Sequence, residues 1–228
     1  MSAGGAQQVI DWDKDARWNG EIDDDSFVRT DEFKDVRASL LLLQHALHAT
    51  PEEPAYWKWA ILAAHSAVQS ACVCILTRTD GGGALTDESE EKLLYYHDTE
   101  SQRAGARAAG GELASEKLAY PNERVASLPE LLRRLPCGMK IDIPGKGGTP
   151  KDRPTADFKM LHSLRNKFTH FKSVGLSIEI ADLLRILERA VNLVEEITFS
   201  NQYQRFNYFT KMNLENVFKG IRKTLREL

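Results

Sequence analysis

Apolar residues recur at three-and-four spacing through most of the chain, and no run alternates with the period of two that a strand requires, so the pattern predicts helices throughout. The first stripe is Phe33, Val36, Leu40, Leu43 and Leu47. Thr30 offers it an N-cap, Asp31 and Glu32 suit its first turn, and Pro51 stops it. A second helix is expected over residues 54–78, where Trp57, Ile61, Ala64, Val68, Ala71 and Ile75 form one stripe. Leu62, Val73 and Leu76 make much of its other side apolar, and such a helix belongs in the middle of a bundle. Asp80-Gly81-Gly82-Gly83 should end it, since each glycine costs a helix ~1 kcal/mol. Residues 86–109 read as a third helix, capped by Thr86 and led by Asp87, Glu88, Glu90 and Glu91, with a tail expected to fray. One or two short helices are expected over 112–135, including Leu128-Pro129-Glu130-Leu131-Leu132 with its proline early in the turn.

Pro136 to Pro154 reads as a loop rich in glycine, proline and lysine. Its Gly145-Lys146-Gly147-Gly148-Thr149 lacks the spacing of a P-loop, which leaves a basic flap over a polyanion or a plain surface loop. Thr155 to Phe171 is predicted helical. After the break at Gly175, Ser177 is the expected cap of a helix over 178–198 with Ile180, Leu183, Leu184, Leu187, Val191 and Val194 inward. Asn213 is the expected cap of a last helix, with Leu214, Val217, Phe218, Ile221, Leu225 and Leu228 inward and Lys219, Arg222, Lys223 and Arg226 outward. The class is therefore all-α, a single domain over 30–228 with its core at about 33–198 and a C-terminal helix at 213–228. An acidic arm, residues 1–29, precedes it, and Trp12, Trp18 and Phe27 could pin that arm to the body.

A chain of 228 residues can build one sizeable core but is short for two domains. Its net charge of −3 hides a split: 8 lysines and arginines stand against 19 acidic residues in 1–100, and 22 against 14 in 101–228. A polyanion would be drawn to the second part, unless the two charged surfaces simply attract each other. Cys72 and Cys74 point ~200° apart on a helix, so they cannot share a disulfide or a metal there and read as buried thiols in a reducing compartment. No signal peptide is visible and no apolar run approaches the ~20 residues of a membrane span, so a cytoplasmic protein without a membrane partner is expected.

The segment Arg165-Asn166-Lys167-Phe168-Thr169-His170 carries the candidate chemistry. Metal-free RNA cleavage needs a permanently charged donor for phosphate and a side chain that moves protons near neutral pH. At ~100° per residue, Phe158, Met160, Leu161, Leu164, Phe168 and Phe171 fall mainly in one arc, with Arg165 at its margin and His162, Asn166 and His170 clear of it. Asn166 and His170, four apart, can touch, so the amide could orient the imidazole. Arg165 and His170 lie ~140° apart and converge only if the last turn unwinds or a second copy supplies half the site. His162 and His170 are ~12 Å apart along the axis, too far for one metal ion, so neither metal nor cofactor is expected. The same residues allow a plainer reading: an intrahelical ion pair for Arg165, an exposed Asn166, and His170 closing the helix C-terminus.

Arg165, Asn166 and His170 in the form R-N-x-x-x-H, preceded by Leu161-His162-Ser163-Leu164 and followed by Phe171, resemble the signature of the HEPN superfamily (higher eukaryotes and prokaryotes nucleotide-binding). Gly175-Leu176-Ser177-Ile178-Glu179 and the early helix from Trp59 to Gln69 extend the resemblance over roughly 33–198. It implies a HEPN-like bundle of four to five core helices, usually dimeric, and a metal-independent endoribonuclease of a toxin or other defence system. The alternative within the same family is a non-catalytic module that binds nucleotides or proteins. On the catalytic reading His170 is the acid/base, Arg165 stabilises the phosphorane, Asn166 orients one or both, and the product carries a 2′,3′-cyclic phosphate. Lys167, Lys172, Lys146, Lys151 and Arg153 are the candidate RNA contacts. The implied partners are RNA, a second copy, and an antitoxin or other regulatory protein. Lys172 stands where some members carry a tyrosine that an antitoxin modifies, and Gln69 where an acidic residue is often found.

Overall fold

The structure, a computed structural model, describes residues 31–109, 118–136, 153–170, 175, 177–200 and 211–228, with 153–155 and 211–213 described by backbone alone. Among these residues there are seven helices and no strand: α1 (Glu32–Ala49), α2 (Tyr56–Leu76), α3 (Asp87–Ala108), α4 (Leu128–Arg134), α5 (Arg153–Thr169), α6 (Ile180–Thr198) and α7 (Lys211–Glu227).

Helix α2 is the axis of the bundle. It packs on α1, α4, α5 and α6, while α7 closes the far side against α1 and α6. This placement follows from its composition, because Ile61, Ala63, His65, Ala67, Val73 and Cys74 are all buried and spread round the helix, and only several partners can cover so many faces. The expectation that no apolar run approaches membrane-spanning length is corrected here. By length and composition α2, 21 residues, could cross a bilayer, yet 67% of its apolar window is buried within the protein. Cys72 and Cys74 are both buried free thiols, and burial pushes the Cys72 thiol up to about 12.

Several boundaries differ from the sequence pattern, each for a local reason. The α2 chain leaves the helix at Leu76, where Thr77 turns extended and both its N–H and its hydroxyl donate to Val73 O, four residues before the glycines are reached. Thr86 caps α3 as expected, accepting from Ser89 N. Residues 118–127 are not helical: Thr86 N donates to Arg124 O and Ala126 N to Ala84 O, which ties the segment to the loop after α2. α5 starts at Arg153, so Pro154 lies in its first turn, where its missing N–H costs nothing. Glu179, not Ser177, precedes α6, and it caps without a side-chain bond. Asn213 lies inside α7 rather than at its cap, and Leu228 follows the helix end partly exposed rather than inward. Residues 1–29, Thr30, and the expected flap over 137–152 lie outside the described residues.

Three polar contacts set the position of α5 and its neighbours. Between α1 and α2, the Asp35 carboxylate accepts from Ser66 at 3.0 Å and Ser70 at 2.5 Å, with Ser39 at 3.5 Å. Arg134 of α4 donates to Gly83 O and Leu85 O. The buried carboxylate of Asp157 on α5 receives Arg185 Nε of α6 at 3.0 Å, with Arg189 Nε at 4.0 Å, which keys α5 to α6. Phe158, Leu161 and Leu164 form the buried stripe of α5. Leu161 is fully buried, so Leu161→Ala should cost about 2–5 kcal/mol in urea unfolding, and a loss under about 0.5 kcal/mol would contradict this packing.

Candidate functional site

The polar flank of α5 meets the axial helix through two histidines. His65, on α2, is buried, and its Nε2 lies 3.1 Å from Nδ1 of His162, with the rings stacked 5.3 Å apart. On its other edge His162 Nε2 lies 3.2 Å from Asn166 Nδ2, one helical turn on. Arg165 then donates from Nη1 to Asn166 Oδ1 at 2.9 Å. Four side chains thus form one continuous path from the centre of the bundle to a half-buried guanidinium at the edge of α5.

The electrostatics follow from this arrangement. Burial holds the His65 imidazole down to about 3, and the neighbouring His162 and the Arg165 cation act in the same direction. His162 is also lowered, by burial first and then by Arg165. Both rings are therefore neutral at pH 7. The only full charge in the cluster is the guanidinium, which makes no ion pair among the described residues. The intrahelical ion pair that the plainer reading gave Arg165 is not formed there.

Of the residues singled out from the sequence, the structure brings together Arg165 and Asn166 but not His170. Asn166 turns back toward His162 and sideways to Arg165, so the expected bond from its amide to His170 is not made: both ends of the amide are engaged elsewhere. His170 is exposed just past the end of α5, and its N–H still donates to Asn166 O at 2.9 Å. The last turn therefore does not unwind. With the helical bonds intact, Arg165 and His170 keep the ~140° separation of residues five apart. Thr169 reinforces the same turn, donating its hydroxyl to Arg165 O at 2.8 Å.

Lys167 is exposed in the last turn of α5. Lys146, Lys151 and Lys172 lie outside the described residues, and Arg153 is placed only by its backbone, which opens α5. A further basic surface lies on α7, where Lys219, Arg222, Lys223 and Arg226 line a groove of about 330 Å³ with Glu227. Arg222 is committed to Glu195 and Asn192, while Lys219, Lys223 and Arg226 are exposed. Among the described residues, no three His, Cys, Asp or Glu side chains gather as metal ligands.

His65 is the member that sequence reasoning missed, and His162 it read as a residue facing away from the core and set aside as a metal ligand. The available signal was a histidine on a helix apolar nearly all round, since a buried polar ring must find a partner. Comparison with known proteins gives no matching family model, curated protein or solved structure.

The neutral histidines tie stability to pH with a definite sign. The unfolded chain protonates both rings below the ordinary value of 6.5, while the folded chain resists. Their contribution is complete above that value and is lost as pH falls, continuing toward about 3 for His65. For His65 the slope is no more than ~1.4 kcal/mol per pH unit. Urea midpoints compared at pH 7 and pH 5 should fall more steeply for wild type than for His65→Phe, and equal slopes would contradict the neutral pair.

Proposed function

We propose that this chain is a metal-independent endoribonuclease of HEPN type, acting as a homodimer whose cleft takes Arg165, Asn166 and His170 from both copies. The observation that carries the reading is the guanidinium of Arg165, which pairs with no acid among the described residues, with an exposed histidine at the end of the same helix. The buried apolar stripe of α5 leaves the side that carries His170 to water or to a partner. A two-fold axis beside it would place each Arg165 near the partner's His170.

The chemistry needs no other group. One His170 ring takes the proton of a ribose 2′-hydroxyl as its oxygen attacks phosphorus. Arg165 offsets the charge gathering on the non-bridging oxygens. The same ring, now protonated, passes that proton to the departing 5′-oxygen, leaving a 2′,3′-cyclic phosphate and a 5′-hydroxyl. A positioned acid/base contributes ~10²–10⁴ in rate, and charge stabilisation in a cleft closed to water adds a term of comparable size or larger. The excess of basic residues in 101–228, with exposed Lys167 beside the motif, favours a polyanionic substrate.

Purified protein incubated with mixed RNA in EDTA should yield fragments ending in cyclic phosphate. Arg165→Ala and His170→Ala should each lose about 100-fold or more of that rate. Identical backgrounds for wild type and His170→Ala would overturn the catalytic reading and leave a non-catalytic helical module.

A further inference from the structure

The four-membered contact path has one direction, and it can be read without seeing a hydrogen. A guanidinium has no lone pair to offer, so Arg165 must donate and Asn166 Oδ1 must accept. This settles the orientation of the amide: its nitrogen is the end that faces His162. An amide nitrogen only donates, so His162 Nε2 must be bare. A neutral imidazole carries one proton, which then sits on His162 Nδ1 and is donated to His65 Nε2, 3.1 Å away. His65 in turn carries its proton on Nδ1. One arrangement of protons satisfies every contact, and it runs from the edge of α5 to the buried face of α2.

Consequences for Arg165 follow. A long side chain at a helix edge ordinarily samples many rotamers, and fixing it costs up to ~2 kcal/mol of entropy. Here the fixing is done by an amide whose own torsion is set by a ring, which is set by a second ring held in the bundle core. His65 is buried on α2, so it is out of reach of a nucleic acid bound at α5 and can act on it only through the side chains that follow it in the path.

We propose that His65 and His162 are positioning residues of the Arg165 site, a one-way hydrogen-bond relay that presents the guanidinium to phosphate in a single geometry. The proposal rests on the ribonuclease reading for its catalytic consequence, but the relay itself is a property of the folded chain. The plain competitor is that the two rings merely fill space between α2 and α5.

Three measurements separate these. Nitrogen NMR of the imidazoles in wild-type protein at pH 7 should show His65 and His162 both protonated on Nδ1 with Nε2 bare; a proton on His162 Nε2 would overturn the relay with no variant needed. In RNA cleavage, His65→Phe should lower kcat by about 10- to 100-fold with KM within about twofold, as expected when a reacting group is displaced rather than a binding surface lost. His65→Gln, whose amide oxygen can still accept from His162, should hold kcat within about threefold of wild type. Wild-type kcat in His65→Phe, or equal loss in both variants, would overturn the positioning role. If wild type cleaves no RNA, the ribonuclease reading has failed separately, and the guanidinium signals of Arg165 decide. Resolved, slowly exchanging Nη protons in wild type that average in His65→Phe support positioning, and unchanged signals overturn it.

Discussion

The contact between His65 and His162 joins the polar edge of α5 to the axial helix of the bundle, and the functional account depends on it. Leu161 and Leu164 would bury the same stripe of α5 against any apolar groove of the right shape. The histidine pair adds an orientation, because it fixes which way Asn166, and through it Arg165, can point. The arrangement is bought with two rings held neutral where solvent would let them charge, which is tolerable because each ring has a partner within hydrogen-bond distance.

On the proposed reading, the regularity of α5 keeps one chain from completing the site alone. α5 is regular through Thr169, and the bond from His170 N to Asn166 O carries the helical pattern one residue further. Five residues of regular helix turn the second group well away from the first. A phosphate held by Arg165 therefore cannot be served by His170 of the same copy without breaking hydrogen bonds that the fold makes. On the proposed reading the two-fold partner resolves this. On that reading, rigidity within a copy would also make the cleft depend on assembly, since a monomer would carry the parts of the site without their convergence.

Much of the scaffold could be read from the chain. The stripes of α1, α6 and α7 are close to ideal three-and-four patterns, and Val36, Leu40, Leu43, Leu187, Val191, Phe218 and Ile221 are buried where that pattern puts them, whereas Ile180, expected inward, is exposed at the first residue of α6. The nearly all-apolar α2 is central, and Thr86 caps as its position suggested. What failed was local competition at helix ends. Several polar residues near one boundary can each cap, and α6 begins after Glu179 rather than Ser177, while α7 already includes Asn213. The site was legible only in part. Arg165 and Asn166 announce themselves as a dipeptide, but the partner that gives them a fixed geometry lies 97 residues before His162, and no periodicity links the two. Asn166 was read as facing forward to His170 on spacing alone, although i−4 and i+4 are equally near on a helix and the buried ring won.

The central claim is that catalysis needs Arg165 and His170 from different copies, and subunit mixing tests it most directly. Arg165→Ala and His170→Ala proteins, each inactive alone, would be combined in equal amounts under conditions of verified subunit exchange and assayed on RNA in EDTA. Half of the dimers are then mixed, and each mixed dimer keeps one intact Arg/His pairing across the two-fold axis. The account predicts recovery of roughly a quarter of wild-type activity. Activity no greater than the sum of the two separate variants, with exchange complete, would contradict it.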